Sequence, residues 1–208
     1  PASWKPASGA NNGNNGADYD VFFSTGTLTQ DIVAGVTINQ LFMSGGTLIL
    51  TNPLTLNVGL QFSGGSILAG TLNVAGLSNQ ATLMTVSNTT INNSGNYTIS
   101  FATGNAFSGG GSVFNNSGQL LLESTDGTVS FNLPLNNTGT VSSQAGTVNI
   151  SAGGTSSGIV NADANAVLQF TNGYTFTDGS QFTGPGTIHS AINTTTTCSG
   201  PILHTGTL

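Results

Sequence analysis

Short runs along the chain alternate apolar and polar residues, as in GTLIL (46–50), GTVSF (127–131), GTVNI (146–150) and AVLQF (166–170). An apolar residue at every second position marks a strand with one buried face, and the Thr, Val, Ile and Phe content of these runs agrees. No stretch carries a sustained helical spacing with caps. The chain is therefore expected to be all-β.

Glycines punctuate these runs in two series. The first is Gly26, Gly46, Gly65, Gly104, Gly127, Gly146, Gly186 and Gly206, with gaps where one further period would land and an average step of 20 residues. The second is Gly76, Gly95, Gly118, Gly139, Gly158, Gly179 and Gly200, at spacings of 19 to 23. A fixed period of this size marks stacked structural units. Two glycines per period are read as corners, where glycine accepts the positive φ of a sharp bend.

One period reads as a strand after the first glycine, a second strand ending in an Asn-rich turn, and a third strand after the second glycine. LTLNVG (54–59), TTINNSG (89–95), SVFNNSG (112–118) and LPLNNTG (133–139) occupy the same phase. Hairpins would instead be joined by two-residue Asn-Gly turns. The predicted fold is a single parallel β-helix, or β-solenoid, of about nine coils, each of roughly 20 residues and three short strands. It is expected over residues 21–208. At about 4.8 Å per coil the rod would be on the order of 43 Å long.

Asn92, Asn93, Asn115, Asn116, Asn136 and Asn137 recur in phase before the corners and are predicted to stack as a structural ladder, hydrogen-bonded along the rod axis. Several lie in Asn-x-Ser/Thr triplets, which an Asn- and Thr-rich chain also generates by chance. Thr-x-Asn and Thr-x-Ser triplets beginning at Thr37, Thr55, Thr71, Thr90, Thr128, Thr140 and Thr147 suggest an ordered hydroxyl face. Such a face could meet a glycan or ice, although a drifting coil length disfavours the lattice match that ice requires.

Composition narrows the function. Charged residues make up 4% of the chain, with one Lys, no Arg and a net charge of -6. An ordinary soluble domain carries about 25%. Without a basic patch, neither nucleic acid nor an anionic bilayer is an expected partner, and no apolar run is long enough for membrane insertion. Pro1 opens the chain without a basic-apolar leader, so an export signal, if there was one, has been removed or the chain is part of something longer.

Candidate chemistry is sparse. Asp18, Asp20, Asp31, Glu123, Asp126, Asp163 and Asp178 are scattered, and Asp126 and Asp178 each precede a glycine, where turn chemistry accounts for them. His189, Cys198 and His204 are too few and too mixed to specify a metal. No catalytic residue, cofactor or metal ligand is assigned, and the chain is not expected to be an enzyme. Residues 1–20, with Trp4, Lys5 and GANNGNNGAD (9–18), are expected to form a flexible arm or linker. Trp4 is the candidate assembly anchor, by which such an arm would dock on a neighbouring subunit.

The segments NNSG, NNTG, GTVNISAGGTSSG and QFTGPGTIHS resemble the degenerate Asn-Ser-Gly-Thr repeats of bacterial secreted passenger regions, both autotransporter-like and filamentous-adhesin-like β-helices. The likeness covers residues 26–206 and is one of composition and rhythm. It implies export, surface exposure and a role in adhesion or matrix, and it carries over no functional residue. The expected function is that of an extracellular filament subunit whose partners are copies of itself, head to tail. The alternative is an adhesive or spacer segment of a larger surface protein that binds glycans. A polysaccharide-active enzyme or an ice-binding protein is a distant third.

Overall fold

The computed structural model describes residues 2–3, 19–190, 196–201 and 203–205, and it is a parallel β-solenoid of about nine turns without a helix. Each turn lays one short strand on each of three faces. In one coil, residues 119–124 lie on the first face, 128–131 on the second and 135–137 on the third. The strands pair in parallel with their counterparts in neighbouring coils. The long strands Val36–Leu50 and Leu54–Val74 bend around corners and contribute to all three faces.

Alternation within each strand sends one set of side chains inward, and the register places each inward residue over its counterpart. The second face stacks Leu28, Leu48, Ile67 and Val86 in one column and Val129, Val148, Leu168 and Ile188 in another. On the third face Leu72, Ile91, Phe114 and Leu135 form a column that is fully buried. Aromatic rings fill the middle of the rod: Phe114 meets Tyr97 edge-on at 5.3 Å and Phe131 at 5.4 Å. Burial pushes the Tyr97 hydroxyl above its ordinary pKa; it donates to Gln80 Oε1 at 3.1 Å.

Coil length varies and the strand register absorbs the variation. Gln40 pairs with Gly59, nineteen residues on, whereas Asn96 pairs with Gln119, twenty-three on. The longer coil breaks its second-face strand in two. Residues 104–105 pair forward with 129–130, while 107–108 pair back with 84–85. The Asn132 side chain mends the break, its Oδ1 accepting from Phe107 N at 2.9 Å and its Nδ2 donating to Phe107 O at 2.6 Å. The amide side chain thus stands in for a missing peptide group in the ladder.

The glycine corners divide into two physical kinds, which corrects the single reason expected for them. Gly26, Gly46, Gly65, Gly104, Gly127 and Gly146, at the entry to the second face, do take positive φ. Of the second series only Gly179 and Gly200 do so. Gly76, Gly95, Gly118, Gly139 and Gly158 are needed for space, because a Cβ on any of them would overlap a backbone carbonyl of the coil beneath. From Gly95 to Gly158, the carbonyl met includes that of the preceding glycine in the series.

Phe114→Ala empties the centre of the aromatic cluster, and a loss of about 3–5 kcal/mol is expected. Urea unfolding of the two chains, followed by circular dichroism, checks this; a loss below 1 kcal/mol would mean that the rings are not packed as described.

Candidate functional site: the asparagine columns

The third face carries the most ordered polar structure. Its outward column contains Thr55, Asn73, Asn92, Asn115, Asn136 and Thr155, joined by side-chain hydrogen bonds from coil to coil. Asn73 Nδ2 donates to Thr55 Oγ1 (3.2 Å), Asn92 to Asn73 (2.9 Å), Asn115 to Asn92 (2.9 Å) and Asn136 to Asn115 (3.0 Å). Thr155 Oγ1 closes the chain on Asn136 Oδ1 at 3.2 Å. Every donor in this column points towards the N-terminal coils.

An inward column lies one residue further along. Asn93 Nδ2 donates to Asn116 Oδ1 (2.7 Å), Asn116 to Asn137 (2.8 Å) and Asn137 to Ser156 Oγ (3.0 Å), so these donors point the opposite way. Asn93, Asn116 and Asn137 are each about 1% exposed, so water cannot satisfy their amides and the protein must. It does so at the corner. Asn116 Nδ2 also reaches Gly118 O (3.3 Å) and Thr140 O (2.9 Å), and Asn93 makes the equivalent contacts with Gly95 O and Gln119 O.

The four-residue pattern Asn-Asn-Ser/Thr-Gly is thus explained position by position. The first Asn faces solvent and bridges coils. The second is buried and ties the corner carbonyls. The Ser or Thr hydroxyl donates down to the previous coil, as Ser117 Oγ does to Asn93 O at 3.2 Å. The glycine provides room, and its N–H shares that acceptor with its neighbour: Ser117 N and Gly118 N both donate to Asn93 O, at 2.8 and 3.1 Å.

The structure therefore separates the six expected asparagines into two columns of three and adds Asn73, Thr55, Thr155 and Ser156. Asn73 was legible by phase, since TLNVAG (71–76) aligns with TINNSG (90–95). Two buried glutamines were missed. Gln30 Nε2 donates to Asn52 O (3.2 Å) and Pro53 O (2.9 Å), and Gln80 Nε2 donates to Thr82 O (3.0 Å) and Ala106 O (2.6 Å). Their signal was a polar residue at an inward phase, as in TLTQ (27–30).

The threonine triplets do not gather on one face. Thr37, Thr55, Thr71 and Thr90 are on the third face, Thr128 and Thr147 on the second and Thr140 on the first. The carboxylates are also dispersed. Asp20 Oδ1 accepts from Asn39 at 3.1 Å, Glu123 Oε2 from Ser100 at 2.8 Å and Asp163 Oδ1 from Asn161 at 2.6 Å. Asp31, Asp126 and Asp178 stand exposed outside the strands or at a bend. His189 is on the second face and exposed Cys198 on the third, while the first-face strand Leu203–Thr205 carries His204 in register with Phe182. Among the described residues no group of three or more His, Cys, Asp or Glu is placed to hold a metal ion. Trp4, Asp18 and Gly206 lie outside the described residues; of residues 1–18, only Ala2–Ser3 are placed, pairing with Leu28–Thr29. No family model, curated protein or solved structure matches the chain.

Asn116→Ala is expected to cost about 3 kcal/mol, because it strands buried amide and carbonyl groups, whereas Asn115→Ala, on the solvent side, costs about 1 kcal/mol. Gly118→Ala should cost about 1–3 kcal/mol by overpacking. Equilibrium unfolding of the three variants gives the ranking, and equal losses for Asn115→Ala and Asn116→Ala would contradict the inward and outward assignment.

Proposed function

We propose that the chain is an extracellular structural protein, a β-solenoid subunit that stacks end to end into a surface or matrix filament. The observation that carries this reading is the use of its polar side chains. The amides and hydroxyls of the third face hydrogen-bond along the rod axis, from coil to coil, and this is an arrangement that serves cohesion. Its conspicuous residues are Asn, Thr, Ser and Gly, in keeping with the secreted repeats that the sequence resembles.

The geometry of the coils supports head-to-tail growth. All strands run parallel, so the two edges of the stack are complementary in their N–H and C=O groups, and a heterologous contact of this kind generates an open fibre. The outermost described coils also leave apolar surface partly covered. Val21 and Phe23 at one end, and Ile188 at the other, are only partly buried against the core, unlike Leu41, Met43 and Leu168 in register with them. A further coil stacked on either end would cover them. On this reading the partners are copies of the same chain and no catalytic step is involved.

A second reading, an adhesive segment that binds neutral glycans, is favoured by one feature. Phe22 and Phe42 stack on the first face at 4.5 Å, and Phe22 is 74% exposed. Beside them a groove of about 350 Å³ is walled by Ser44, Gln61 and Asn79, without a charged group. Aromatic rings beside amides and hydroxyls suit a sugar's apolar face and its hydroxyl rim.

Negative-stain electron microscopy of the purified chain at rising concentration separates the two. Fibres with an axial repeat on the order of 43 Å, nine coils at the strand spacing, are expected for the filament. Single particles at every concentration would overturn it. Glycan binding that Phe22→Ala abolishes, without fibres, would establish the adhesive reading.

A further inference from the structure

We propose that Asn172–Gly173 is a site of spontaneous covalent modification, at which the asparagine cyclises on the following backbone nitrogen and ages to a mixture of aspartate and isoaspartate. The inference is independent of what the rod assembles into. It starts from the contrast between this asparagine and those of the columns.

In the columns the side-chain amides are held away from reaction. Asn93, Asn116 and Asn137 are buried, Asn116 and Asn137 bridged on both sides and Asn93 tied to the next coil and to its own corner, and each is followed by Ser or Thr whose N–H is bound to the coil below. Attack by that nitrogen would require breaking a ladder bond and turning a buried amide. Asn172 has neither restraint. It and Gly173 are both exposed and lie between the strands Val167–Phe170 and Tyr174–Thr177, at the turn from the second face to the third. Asn172 takes no part in either column.

The side chain is already folded back on the nitrogen that would attack it. Gly173 N lies 2.9 Å from Asn172 Oδ1, so the amide carbon bearing that oxygen is held beside the backbone nitrogen. Holding the two groups of a ring closure near one another lowers the entropic part of its barrier. Glycine assists further, since without a Cβ it neither crowds the nitrogen nor resists the change of backbone angles that ring closure needs.

The step balances without an oxidant or cofactor. Gly173 N loses its proton to solvent base and bonds to Asn172 Cγ; the Cγ–Nδ2 bond breaks and ammonia leaves with a proton. Water then opens the five-membered imide at either carbonyl. One opening gives aspartate in the ordinary main chain, and the other gives isoaspartate, whose main chain runs through the side-chain carbon. Either product exchanges a neutral amide for a carboxylate. Because attack needs the deprotonated nitrogen, the rate rises with pH.

The test is peptide mapping by mass spectrometry of the full folded chain after incubation at mildly alkaline pH. Peptides carrying Asn12–Gly13 and Asn15–Gly16 are resolved from the one carrying Asn172. The expected result is the mass gain of exchanging ammonia for water at Asn172, with both isomers present, while Asn92, Asn115, Asn136 and the three buried asparagines stay unchanged. Gly173→Val should slow the step at Asn172 by about tenfold or more, since a β-branched neighbour crowds the attacking nitrogen. Circular dichroism confirms that this variant is folded, and a synthetic peptide spanning 168–177 gives the rate without the fold. Modification of Asn172 no faster than that of the column asparagines, in a chain whose peptide does react, would overturn the proposal.

Discussion

Every structural choice in this protein answers one constraint: each side chain sits one strand spacing, about 4.8 Å, from the residue at its own position in the next coil. Like charges at that distance repel, and a column of them would oppose stacking along its whole length. Asn, Gln, Ser and Thr escape the difficulty because each carries both a donor and an acceptor and so pairs with its own kind. The composition, 4% charged with 30 glycines, follows from stacking. Where carboxylates occur in strands they are set over neutral partners, as Asp20 over Gln40 and Glu123 beside Ser100 and Ala145.

The two asparagine columns satisfy this constraint in different environments. The outward one runs from Thr55 to Thr155 and is partly wetted, so its amides could exchange partners with water. The inward one, Asn93 to Ser156, cannot, and its amides are fixed by corner carbonyls as well as by one another. Their donors run in opposite directions, so the amide dipoles of one column oppose those of the other. The hydrogen bonds of each column polarise their successors, which strengthens a chain beyond its separate pairs. Cohesion along the axis therefore combines backbone ladders, apolar columns and side-chain amides in one direction, which is the direction a filament would bear load.

Departures from the period are handled locally. The long coil between Asn96 and Gln119 splits its second-face strand, and the Asn132 amide takes over the pairing that the backbone loses. Tyr174 reaches across a small residue in a similar way. Its hydroxyl donates to Thr155 O at 3.0 Å and to Leu135 O at 3.1 Å, with Gly154 between Leu135 and Tyr174 in the register. These are side chains repairing a stack whose rungs differ in length, and none of them belongs to the repeat.

The sequence by itself determined the solenoid, its coil length, its three strands per coil and the phase of its asparagines, because period-two alternation and a fixed glycine rhythm are local properties of a chain. It also showed where glycine was required and, for Gly26, Gly46, Gly65, Gly104, Gly127 and Gly146, why, since these do take positive φ; it did not show the reason for most of the second series. Only the tertiary structure decided that Gly95, Gly118 and Gly139 exist for the carbonyl beneath them, since close approach between coils depends on stacking and leaves no mark in one segment read alone. The same holds for the division of Asn-Asn into a buried and a solvent column, for Gln30 and Gln80 at inward positions, and for the scattering of the threonine triplets over three faces. Each depends on which residue lies one coil away, and that distance is set by a register that the chain acquires only when it stacks.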